Sequence, residues 1–102
     1  MAKSLDRETL VRVAPKLAEL SQDLLFNDIW KREALSPRER SLVTLGALAA
    51  LGRVQQLPWH IRFAQQNGLT HEEIVEVFTH LAFYAGWPAA VSAFECWEED
   101  QR

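Results

Sequence analysis

The chain reads as all-α. Apolar residues recur at spacings of three and four, helix-starting and helix-stopping residues punctuate the chain, and no stretch alternates apolar and polar as a strand does. Its 102 residues fit one domain, which at this size buries roughly two-thirds of the surface an unfolded chain exposes.

The first helical segment is capped by Ser4 or Asp6 and runs towards Phe26. Its stripe is Leu10, Val13, Leu17, Leu20, Leu24 and Leu25. Pro15 falls inside that stripe and either starts a second helix or kinks one long helix, because it lacks an amide donor and crowds the turn before it. Asn27 and Asp28 break the pattern. Ser36-Pro37-Arg38-Glu39 is a helix start, with Ser36 as N-cap, Pro37 first in the helix and Glu39 closing a capping box. That helix runs to Gly52, a C-terminal cap. Leu42, Val43, Leu45 and Ala47 through Leu51 cover all its faces, so it is expected to be enclosed, either centrally or by a neighbouring subunit.

A further helix spans about Gln56 to Asn67, with Pro58 in its first turn and Asn67-Gly68 ending it. Thr70-His71-Glu72-Glu73 is a second capping box, opening a helix to about Ala85. Gly86-Trp87-Pro88 is a sharp break, and a last helix follows to about Glu99.

Hydrophobic residues make up 48% of the chain, enough to fold it. Four Trp and five Phe exceed what one thin core needs, so some are expected in a subunit interface. The net charge is −3, with no basic stripe, which argues against nucleic-acid binding. Acidic residues gather at Glu95, Glu98, Glu99 and Asp100, as at a solvated helix end. The longest uncharged run, Ser41 to Gly52, is too short for a bilayer span of roughly 20 residues. Cys96 has no partner for an intrachain disulfide, and the residues from Met1 to Asp6 carry no apolar leader. A cytoplasmic protein without membrane contact is expected.

Three polar pairs stand at i, i+4, each on one helix face: Arg40 with Thr44, Gln56 with His60, and His80 with Tyr84. If these faces converge, they build a pocket able to hold a carboxylate and move a proton. Each residue also has a plain structural alternative. Arg40 could be an exposed first-turn residue, His60 and His80 hydrogen-bonded core histidines, and Tyr84 a packing residue. His71 sits in a capping turn at the surface. No Cys-x-x-Cys, His-x-x-x-His, His-Glu-x-x-His, glycine-rich phosphate loop or Gly-x-Ser-x-Gly is present, so neither a metal nor a bound cofactor is expected.

Trp30 through Phe94 resembles the carboxymuconolactone decarboxylase family. The resemblance runs through Trp30, Arg32 and Leu35, through Arg38-Glu39-Arg40-Ser41-Leu42-Val43-Thr44, and through Ala47 to Arg53. It continues with His60, Asn67-Gly68, Thr70, Glu72-Glu73-Ile74, Glu76-Val77, Tyr84-Ala85-Gly86 and Pro88-Ala89-Ala90. It implies an alkylhydroperoxidase D-like domain of five to six helices, assembling as a homotrimer or homohexamer. One family branch reduces peroxides with a dithiol, whose cysteines would fall at Arg53 and Gln56; neither is cysteine here. The other branch decarboxylates a carboxylated muconolactone in aromatic-acid degradation. That branch usually has Arg-Pro-Gly-Leu where this chain has Arg32-Glu33-Ala34-Leu35, and Glu where it has Gln56.

The resemblance implies cofactor-free decarboxylation, or related lyase or isomerase chemistry, on a small carboxylated lactone or organic acid. It implies His60 as general acid and Arg40 as carboxylate anchor, with His80 and Tyr84 donating to the substrate oxygen or orienting His60. Gln56, Thr44, Trp59 and Trp87 would contact substrate. The alternatives are a thiol peroxidase working through Cys96, the peroxiredoxin activity attached to the wider family, and a non-catalytic oligomeric helical ligand-binding module.

Overall fold

The computed structural model describes residues 6–102, and every regular element among them is helical. Ser4, one of the two expected caps, lies outside the described residues. Two compact units divide the chain, Met1–Pro37 and Arg38–Arg102.

In the first unit Asp6 is the N-cap of α1 (Arg7–Val13), its Oδ1 accepting the Thr9 amide at 2.7 Å. That bond, with the Thr9 backbone, holds the Asp6 carboxyl below its ordinary pKa. Helix α1 stops at Ala14, whose backbone leaves the helical region (φ −141°, ψ 71°) because the following Pro15 crowds that conformation. Pro15 then opens α2 (Pro15–Leu20), so it starts a second helix and does not kink one long one. A six-residue π-helical turn, Ser21–Phe26, continues the chain, and a 3₁₀ turn, Ile29–Lys31, follows. The Arg7 guanidinium donates to the Gln22 side chain, and Phe26 stacks on Trp30 at 6.2 Å. None of these elements contains a buried residue.

The second unit encloses the core. Helix α3 (Pro37–Leu51) buries one face, Ser41, Leu45 and Ala49, at i, i+4, i+8. Its opposite side is open, with Val43 63% and Leu51 67% exposed. The expected enclosure on all sides is therefore absent within this chain: the even spread of apolar residues round α3 exceeds what one packing face can cover. Gly52 (φ 72°) ends the helix. The amide of Arg53 bonds the Leu48 carbonyl at 2.9 Å and that of Gly52 the Ala49 carbonyl at 3.1 Å, a Schellman pattern requiring a left-handed residue.

Helix α4 (Leu57–Gln66) starts one residue after Gln56 and closes the same way at Gly68 (φ 103°), where the buried Leu69 donates to the Ala64 carbonyl at 3.0 Å. Helix α5 (His71–Leu81) opens on the expected capping box. The Glu73 amide donates to Thr70 Oγ1 at 3.1 Å, and the Thr70 amide to Glu73 Oε1 at 2.9 Å.

Helix α5 ends four residues before the expected Ala85. Residues 82–85 tighten into i→i−3 bonds, Phe83 to His80 and Tyr84 to Leu81, both 3.1 Å. Gly86 (φ 103°) then turns the chain. Trp87 and Pro88 do not extend the break but form the first turn of α6 (Trp87–Asp100), where a missing amide donor costs nothing. Phe78, Ile74, Ile61, Leu57, Leu45 and Trp97 form the centre of the core. Phe78 meets Phe94 edge-on at 5.5 Å, and Trp97 lies between Phe78 at 6.3 Å and the His71 ring at 4.7 Å.

Candidate functional site

Arg40 lies in the first turn of α3, half-buried, and so is not the freely exposed residue its position would allow. Thr44 is also half-buried, and its hydroxyl donates to the Arg40 carbonyl at 2.8 Å. That bond spends the Thr44 proton within its own helix and leaves the oxygen's lone pairs as what it can offer a ligand.

His60 is half-buried on α4 between two aromatics. Trp59 meets its ring edge-on at 4.8 Å and Phe63 at 6.5 Å, while Trp59 and Phe63 stack at 5.0 Å. This surrounding removes water from the imidazole, and the desolvation lowers its pKa. An imidazole so placed is mostly uncharged at neutral pH and takes up a proton only in more acid solution. Gln56 is the exposed N-cap residue of α4, joined to His60 through the backbone (His60 amide to Gln56 carbonyl, 3.4 Å). The side chains of the two are not hydrogen-bonded among the described residues.

His80 and Tyr84 meet ring to ring at 4.9 Å, although Tyr84 lies beyond the end of α5. Both are exposed, Tyr84 by 80%. Trp87 is 62% exposed and packs edge-on against Phe83 at 5.4 Å. The structure thus joins Arg40 with Thr44, His60 with Trp59, and His80 with Tyr84.

An open groove of about 430 Å³ runs between α3 and α5. Leu42, Val77 and Leu81 give it an apolar floor, with Arg38, Glu73, Glu76 and His80 around it. Of the residues singled out from sequence for chemistry, only His80 lines it. Arg38 pairs with Glu73 across 35 positions of sequence, and the residues had been read only as helix-start signals. The backbone bond from Thr70 and the Arg38 guanidinium together hold the Glu73 carboxyl below its ordinary pKa. Nothing in local periodicity announces such a pair.

Cys96 is half-buried on α6, its Sγ 3.4 Å from the Ala93 carbonyl. Burial, then the nearby charges of Asp100 and Glu99, push the thiol up to about 11. An activated cysteine has the opposite shift, so the thiol-peroxidase alternative is overturned. Among the described residues no three His, Cys, Asp or Glu side chains gather as a metal-holding group, and no helix is long and apolar enough to cross a membrane.

These features define an all-helical protein whose titratable chemistry is carried by imidazole and guanidinium groups, with its one thiol held protonated. Residues 15–99 match the carboxymuconolactone decarboxylase family model, and the chain belongs to that family. It is 40% identical over 74 residues to a 4-carboxymuconolactone decarboxylase of Acinetobacter baylyi, covering 72% of this chain and 55% of that protein. It is 36% identical over 75 residues to a nitrosuccinic acid decarboxylase of Metarhizium robertsii, covering 74% and 52%. The chain thus spans about half the length of these two curated relatives. A 15.0 kDa protein of Paracoccus denitrificans is 28% identical over 92 residues, covering 88% and 69%.

Proposed function

We propose that this chain decarboxylates a small carboxylated lactone or related organic acid without a cofactor. The observation that carries this reading is the 40% identity, over 72% of the chain, to a decarboxylase of carboxymuconolactone. The second decarboxylase relative supports the reaction type while differing in substrate. The two named substrates share one chemical property: each carries a group that can accept the electron pair released with carbon dioxide, a conjugated lactone carbonyl in one and a nitro group in the other.

In the proposed reaction the bond to the departing carboxylate breaks, and its electron pair moves into the conjugated carbonyl as a dienolate. A proton then returns to the ring and carbon dioxide leaves. Arg40 anchors a carboxylate by charge-assisted hydrogen bonds. His60 supplies the proton as general acid. His80 and Tyr84 donate to the developing oxyanion or orient His60. Gln56, Thr44, Trp59 and Trp87 contact the substrate. The exposed apolar side of α3 and the exposed Trp59, Phe83 and Trp87 support a homo-oligomer, a homotrimer or homohexamer, in which further copies complete the site. The proposed setting is the cytoplasm.

Carbon dioxide release from 4-carboxymuconolactone and from nitrosuccinate tests the reading. His60→Ala should lower turnover about 10²–10⁴-fold on whichever acid is accepted. Because burial lowers the His60 pKa, the limb on which activity falls with rising pH should lie below the ordinary histidine value of 6.5. Undiminished turnover in His60→Ala would sink the assignment.

A further inference from the structure

We propose that the groove between α3 and α5 is a binding site for an amphiphilic monocarboxylate, with Arg38 holding the headgroup and Leu42, Val77 and Leu81 the apolar body. The inference goes beyond the decarboxylase reading and does not depend on it, because neither His60 nor Arg40 lines the groove.

The argument runs through a chain of fixed groups. The capping box locks Glu73, whose Oε1 accepts the Thr70 amide at 2.9 Å. Its other oxygen, Oε2, accepts from Nη2 of Arg38. Glu73 is thereby spent as an acceptor and serves to hold the guanidinium in place at the groove. A guanidinium has five N–H donors in a rigid fork, and the ion pair is made through one nitrogen. A guanidinium already fixed by a protein carboxylate loses little side-chain freedom on meeting a second one, which its planar fork fits.

The rest of the groove selects the body of the ligand. Leu42, Val77 and Leu81 are half-buried apolar residues, so a compact hydrocarbon would shield surface that water now covers. His80 stands two turns of α5 beyond Glu73, about 10 Å along the helix, which limits the ligand's length. Glu76 is exposed on the same wall and opposes an anion. It is also the one group there that would favour a cation, but an exposed, unheld carboxylate contributes little to ion pairing. The fixed guanidinium therefore decides the sign of the ligand.

The test is an NMR titration of the full chain, ¹⁵N-labelled, with hexanoate, hexylamine and 1-hexanol. Hexanoate should saturate, shifting amides within 38–42 and 73–81. Hexylamine and hexanol should bind at least about tenfold more weakly. Arg38→Gln should weaken hexanoate by about tenfold or more, and Glu76→Gln should tighten it. Should Arg38→Gln fail to fold, Val77→Phe fills the groove without touching the ion pair and should abolish binding. Preference for hexylamine, the absence of saturable hexanoate binding, or hexanoate affinity unchanged in Arg38→Gln or in Val77→Phe would each overturn the proposal.

Discussion

Residues 6–37 and residues 38–102 obey the same local helix rules and differ in what they enclose. Both units place an acceptor at an N-cap, Asp6 in one and Thr70 in the other, and both use proline in a first helical turn. The first unit has an apolar stripe at helical spacing yet buries none of it; the second buries Phe78, Ile74, Ile61, Leu57 and Leu45 almost completely. Caps and propensities choose where a helix begins and ends, whereas packing supplies most of its stability. Helices of six or seven residues are well below the length that persists alone in water.

The contrast is sharpest when tested by truncation. Phe78→Ala, at a fully buried position, should cost about 3–5 kcal/mol in urea unfolding. Leu17→Ala, at an exposed position of α2, should stay within about 0.5 kcal/mol. A comparable loss for Leu17→Ala would break the comparison and mean that the stripe is covered in solution.

A smaller effect belongs to the one buried polar side chain of the core. Ser41 is buried on α3, and Asn67, which ends α4, donates to its hydroxyl at 3.0 Å. Asn67→Ala strands that hydroxyl and should cost about 1–3 kcal/mol, while Ser41→Ala combined with Asn67→Ala should recover part of the loss, because no buried polar group remains. Additive losses in the double variant would show that the pair does not act as a unit.

The smallest expected effect is on pH dependence. The folded pKa of His60 lies below the unfolded value of 6.5, so the unfolded chain binds its proton more readily. His60 in its neutral form therefore supports the fold fully above about pH 6.5. That support is lost as pH falls from there through the lower folded value. Urea midpoints at pH 7.5 and 5.5 should differ more in the parent chain than in His60→Gln. Equal differences would place the titration elsewhere.

Much of the fold was legible because its signals are local. The Thr70-Glu73 box, the Gly52 and Gly68 terminations and the start at Pro15 each depend on residues within a turn or so. The end of α5 was not, because Leu81 through Gly86 contains no breaker until the glycine itself and nothing local marks the tightening to i→i−3 bonds. The openness of α3 was hidden for a different reason: composition says how much apolar surface a helix carries, not how much one chain can cover. The candidate site divides in the same way. Spacing put Arg40 with Thr44 and His80 with Tyr84, and the aromatic neighbours of His60 stand beside it in sequence. The groove depends on Arg38 meeting Glu73 from a separate helix, and no helical period relates residues 35 positions apart.

The π-helical turn at Ser21–Phe26 has a consequence for the phase of the N-terminal unit. A wider turn takes up more residues than an α turn, so the angular position of each later side chain is reset there. Deleting one residue from that segment would let the chain wind as a regular α-helix while turning everything after it by about 100°. Leu24 and Leu25 would then rotate relative to Leu17 and Leu20, and Phe26 would leave the position from which it stacks on Trp30. A single-residue deletion here would be read as a rotation, not as a shortening.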